Sequence, residues 1–213
     1  MKNPHINTSR GFTLIELIVV IAIFSIITTI ALFNQGKLNG SILVTNLAYE
    51  IALSVREAQT YGVGVRADAA SGNFEGGYGI SFSMSRPNDI ILFTDTVDPD
   101  SMLSDEEEAS RLTIQNQRGN TIVAICRGQS ESPCIDGADN SVDDLNIIFR
   151  RPNPEALFFS QKGSTVVDEF GPGPVYIVVN TPSMDNCRVV VVEKTGQIRV
   201  DNSSSGLCEN ESD

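Results

Sequence analysis

The chain has 213 residues, of which 41% are hydrophobic, and a formal net charge of −12. That length can bury a full core and fits one globular domain with a helical extension rather than two domains. The acidity disfavours polyanionic partners such as nucleic acids, which are held by basic stripes that release counterions, and suits a soluble, self-repelling surface.

In chain order, Met1 to Gly11 carries Lys2 and Arg10 ahead of an apolar run, GFTLIELIVVIAIFSIITTIALF, over residues 11–33. The positive-inside tendency leaves this short basic stretch cytoplasmic and places the chain beyond the run on the other side. As a helix, residues 12–33 would be about 33 Å long, enough for a bilayer core of about 30 Å. One acid, Glu16, interrupts the run. A carboxylate in lipid costs up to about 2.5–3.5 kcal/mol at mid-span, less near an end, so it asks for a partner.

Gly11, Phe12, Thr13, Leu14, Ile15 and Glu16, followed by the apolar run, resemble the type IV prepilin processing site shared by pilins and type II secretion pseudopilins. The resemblance implies cutting after Gly11 by a membrane prepilin peptidase and methylation of the new terminus at Phe12. It also implies a role for Glu16 in docking against the terminal amine of a neighbouring subunit. Paired in a low-dielectric filament core, the two charges would act as a register check, because either alone is penalised there. Removing the leader would take away two of 15 bases and none of 27 acids, leaving 13 − 27 = −14. It would also remove His5, the one histidine, and with it every imidazole-based catalytic or metal site.

Beyond the run, Gly36 and Gly40 each cost a helix up to about 1 kcal/mol, and a kink or melted turn is expected there. Val44, Leu47, Ala48, Ile51, Val55 and Ala58 then recur at three- and four-residue steps, one face of an amphipathic helix. Gly62 and Gly64 are expected to end it near Tyr61. Short runs rich in Val, Ile and Phe come next, divided by Gly, Pro, Asn and Asp. They predict strands at 79–84, 89–94, 111–114, 121–126, 146–149, 156–159, 175–179, 188–192 and 197–200, in a mainly antiparallel sheet on which the helix packs. Lys194, Thr195 and Gly196 read as the turn of the last hairpin.

The expected class is α+β and pilin-like. Its parts are a leader over 1–11, a membrane or filament-core helix over 12–33, an amphipathic continuation over 34–64, a β-rich domain over 65–200 and a polar tail over 201–213. Arg56, Glu57, Ala58 and Gly62, with the closing hairpin, resemble the GspH and FimT branch of pseudopilins and minor pilins. Four cysteines, Cys126, Cys134, Cys187 and Cys208, fall in the exported part, where disulfides persist. Of three possible pairings, Cys126 with Cys134 and Cys187 with Cys208 each bracket a short segment and are expected.

Residues 95–108 read as a solvated acidic loop, and Gly171 to Pro174 as a stiff connector. Asp136, Asp139, Asn140, Asp143 and Asp144 could supply oxygen ligands to calcium, although their spacing is not that of an EF-hand; no other cofactor is expected. No nucleophile elbow or phosphate-cradling loop appears, so an enzyme is not expected. The leading expectation is a structural subunit of a type IV pilus or type II secretion pseudopilus. It would be anchored once in the inner membrane and partnered by the peptidase, sibling subunits and the assembly platform. The alternative is a tip-located minor pilin that binds DNA or a surface. FimT-like pilins associate DNA contact with a Gly-Arg-x-Arg segment, where this chain has Gly196, Gln197, Ile198 and Arg199.

Overall fold

A computed structural model describes residues 11–64, 77–95, 103, 108–114, 119–128, 134, 140–163, 165–167, 173–181 and 186–202. The chain divides into two compact units, Met1–Asn39 and Gly40–Asp213. The helix α1, Leu14–Val63, is 50 residues long and begins in the first of them. Within that unit, Leu14–Leu32 has a mean hydropathy of 2.7 and none of it is buried, so by length and composition it can cross a membrane. Of the kink or melted turn expected at Gly36 and Gly40, no melted turn occurs, since both lie within the helix. Two penalties of about 1 kcal/mol do not interrupt a helix already propagating on both sides, since the costly step is nucleation.

The second unit is built on the amphipathic stripe. Val44, Leu47, Ala48, Ile51, Val55 and Ala58 are all fully buried. They meet two antiparallel sheets, not the single sheet expected. The six-stranded sheet comprises β1 (Gly77–Ser83), β2 (Asp89–Asp95), β3 (Glu108–Thr113), β5 (Asp144–Phe149), β6 (Ala156–Lys162) and β7 (Thr165–Val167), in the order β3-β2-β1-β5-β6-β7. The four-stranded sheet comprises β4 (Thr121–Arg127), β8 (Val175–Asn180), β9 (Cys187–Val192) and β10 (Ile198–Asn202), in the order β10-β9-β8-β4. Nine of these strands overlie the expected segments with ends shifted by a few residues. The tenth, β7, is three residues long, too short for an alternation to register.

The two faces of the four-stranded sheet explain the run Val189 to Val192. Val190, Val192, Ile177 and Val179 join the main core with the helix, while Val189, Val191, Tyr176 and Val178 form a second apolar cluster. Side chains alternate across a strand, so a strand buried on both faces is apolar at every position. A disulfide joins Cys126 to buried Cys134, with Cα atoms 5.7 Å apart, and both cysteines belong to that second cluster.

The expected acidic loop over 95–108 is corrected at both ends, because Asp95 closes β2 and Glu108 opens β3. Asp95 is buried and ion-pairs with Arg150, which is what allows a carboxylate to be buried at the strand's end. Gly62 does not end the helix either. It lies in the last turn, and a Cβ built there would collide with the Phe149 carbonyl. Its missing side chain lets the helix touch the backbone of β5.

Thermal or urea unfolding of the full chain in detergent checks two expected outcomes. Ile51→Ala should cost about 2–5 kcal/mol, whereas Leu53→Ala, two positions on and exposed, should stay within about 0.5 kcal/mol. Gly62→Ala should destabilise although alanine is the better helix former by about 1 kcal/mol, because the contact with Phe149 outweighs propensity. A stabilised Gly62→Ala chain would show that the helix does not approach β5 this closely.

Candidate functional site

The segment that sequence reasoning singles out begins the described chain. Gly11, Phe12 and Thr13 precede the helix, and Phe12 is 84% exposed. The Leu17 N–H donates to the Thr13 carbonyl at 3.2 Å, the first helical bond, and the Glu16 N–H donates to Thr13 Oγ1 at 3.3 Å. Thr13 is therefore the N-cap and Glu16 the third helical residue, the Thr-x-x-Glu spacing of a capping box. That local role is legible in the sequence but is masked by the acid's departure from the apolar pattern. It gives the carboxylate a place near the positive end of the helix dipole.

The other polar residues of the span need no outside partner. Ser25, Thr28 and Thr29 donate their hydroxyls to the carbonyls of Ile21, Phe24 and Ser25, each four residues back, at 2.7 to 2.8 Å. Such back-bonds keep a hydroxyl satisfied inside lipid. The Glu16 side chain has no such bond and no ion pair among the described residues. Gly11, Phe12 and Glu16 are thus brought together by the helix start alone, and nothing else in the described chain closes over them.

Elsewhere, the features with possible chemistry are engaged in structure. Gly196 has φ +84° and ends a three-residue turn, in which its N–H donates to the Glu193 carbonyl while the Glu193 N–H donates to Gln197 O. This is a type I turn with a glycine bulge, the hairpin expected between β9 and β10. Arg199 bonds Glu193 at 2.5 Å and Asp201 at 3.1 Å. Its pKa is raised above the ordinary arginine value, chiefly by the hydrogen bond to Glu193, with burial next in size and opposing it, and Asp201 adding to the rise. The guanidinium is therefore permanently charged but already neutralised within its own hairpin.

Cys187 is disulfide-bonded, and Cys208, its expected partner, lies outside the described residues. So do His5, Asp136 and Asp139; among the described residues no cluster of three metal-ligating side chains occurs. Of the rest of the calcium set, Asp143 Oδ2 accepts from the Gly163 N–H at 2.6 Å, closing the β6–β7 turn.

Residues 6–32 match the family model described as the prokaryotic N-terminal methylation motif. No curated protein and no solved structure matches the chain. The match covers the basic, glycine, phenylalanine and glutamate positions together with most of the apolar run, and it points to a structural protein of the pilin kind rather than to an enzyme. Joined to an apolar helix that nothing in its own unit buries and to an antiparallel α+β body, the motif supports a membrane-anchored type IV pilin-like or pseudopilin subunit.

Proposed function

We propose that the chain is a subunit of a type IV pilus or a type II secretion pseudopilus, cut after Gly11, methylated at Phe12 and docked through Glu16. The observation that carries this reading is the Glu16 carboxylate, the one ionisable side chain between Phe12 and Leu32 and without a partner in its own described chain. Processing after Gly11 would create a cationic amine at Phe12, and such an amine on a neighbouring subunit is the complementary charge. Neither group is stable alone in an apolar core, so the pair favours one axial register over its neighbours. The membrane peptidase makes the cut, the helix holds the subunit in the inner membrane with its amino terminus inside, and the platform and sibling subunits receive it. Membership of the GspH and FimT branch accords with the helix sequence around Arg56 and with the closing β9–β10 hairpin. DNA capture is less favoured, because Arg199 spends its charge on Glu193 and Asp201.

Gly11→Lys should leave the leader attached, read as an unprocessed, unmethylated amino terminus by mass spectrometry of the membrane fraction. Glu16→Ala should be cut and methylated normally yet enter filaments at least about tenfold less, the effect of losing ~1.4 kcal/mol of docking energy. Normal incorporation of that variant, measured against membrane-resident subunit, would remove the charge pair from the mechanism.

A further inference from the structure

The four sheet edges are not finished alike. At one end of the six-stranded sheet β7 has only three residues, and at the other β3 pairs with β2 through an irregularity at Leu92 and Phe93. In the four-stranded sheet β4 is broken in register between Ile122 and Ala124 and is bridged at Cys126 to Ser141. Short strands, bulges and covering contacts are the usual means of preventing edge-to-edge pairing. The remaining edge, β10, is five residues long and in unbroken register with β9.

The hairpin fixes which groups β10 turns outward. The Glu193–Gln197 bond makes those two residues a hydrogen-bonded pair, so by alternation Val191 with Arg199 and Val189 with Asp201 are bonded pairs too. The N–H and C=O of Ile198 and Val200 therefore face away from β9, and no described residue bonds them. Beside them runs a groove of about 200 Å³, lined by Tyr49, Ala52, Leu53 and Arg56 of α1 and by Ile198, Arg199 and Val200 of β10. Leu53 is 68% exposed and Tyr49 56%. The Arg56 guanidinium bonds only neutral Gln59, at 3.0 Å, among the described residues.

We propose that β10 and the adjoining face of α1 form a strand-addition seat for an extended segment of a neighbouring filament subunit, a proposal that rests on the subunit reading above. The outward groups of Ile198 and Val200, unbonded by any described residue, are matched in sequence along the edge by another extended backbone, which sets the occupant's conformation. Side chains of the added strand alternate, so those on the helix side meet Leu53 and Tyr49 and must be apolar. The segment also carries a carboxylate within reach of Arg56, whose charge has no acidic partner among the described residues. The contact is sideways and backbone-mediated, distinct from docking by the apolar helix.

The test uses the full chain assembled in cells with its sibling subunits, carrying the photo-crosslinking residue p-benzoylphenylalanine at position 53 or, as a control, at exposed position 112. Illumination should join position 53, and not 112, to a neighbouring subunit outside its amino-terminal helix, as mapped by peptide mass spectrometry. Hydrogen exchange at the Ile198 and Val200 amides should slow by at least tenfold between the membrane-resident and the assembled chain. Leu53→Lys, which leaves the core untouched, should cut incorporation by at least threefold. A chain found in filaments whose position 53 crosslinks to a neighbour's amino-terminal helix or to nothing, or whose two amides exchange as fast as before, would overturn this inference alone. Absence of the chain from filaments would overturn the subunit reading, and this inference with it.

Discussion

The constraint on which the rest depends is an apolar helix with no cover from its own compact unit. From Leu14 to Leu32 nothing is buried, and Leu14, Ile15 and Phe24 are each more than two-thirds exposed. Burying one such side chain is worth about 1.5–3 kcal/mol, so the thirteen Leu, Ile, Val and Phe residues of this stretch together exceed the net stability of an ordinary domain. Water cannot be their working solvent. Either lipid or the helices of other subunits must take its place, and a protein that exchanges one for the other has an anchor before assembly and an interface afterwards. The hydroxyls of Ser25, Thr28 and Thr29 fit both settings, because their hydrogen bonds are internal to the helix.

The second unit solves the opposite problem, giving one stripe of a helix a permanent cover. Two sheets supply it together, and the glycine at position 62 brings the last turn onto the backbone of Phe149. Gln59 adds a polar fastening there, its side-chain amide donating to the Pro154 and Gly196 carbonyls. With the helix held at both its apolar stripe and its end, the face carrying Tyr49 and Leu53 is left exposed, and among the described residues nothing bonds the outward groups of Ile198 and Val200 on β10. Those exposures are therefore consequences of how the domain is closed rather than isolated defects in burial.

The helical half of the fold was nearly all legible in the sequence. Six positions chosen for their spacing are six fully buried residues, because a helix against a sheet makes periodicity and burial the same fact. Strand existence was legible for a similar reason, but the division into two sheets was not: alternation says which face of a strand is apolar, not which strand lies beside it. The VVVV run of β9 carried a further clue, burial on both faces, that a single sheet under one helix does not account for. Asp95 was misplaced in a loop because its partner, Arg150, is 55 residues away and composition alone ranks an acid as exposed. At the amino terminus the motif was plain, while the N-cap role of Thr13 was hidden beside the more conspicuous Glu16.

That cap bears on how a charge pair could form between molecules rather than within one. Helical residues four apart face each other, and an amine at Phe12 stacked over Glu16 would satisfy the acid inside its own chain. The Thr13 cap works against this register. By serving as N-cap it places Phe12 outside the helix, one residue before the cap, while Glu16 sits in the first turn. An amine created at Phe12 by the proposed cut would thus lie beyond the helix start, while the carboxylate stays in the first turn. An arrangement that discourages self-pairing would leave both charges available to neighbours, so the local chemistry of one threonine accords with the proposed docking between subunits.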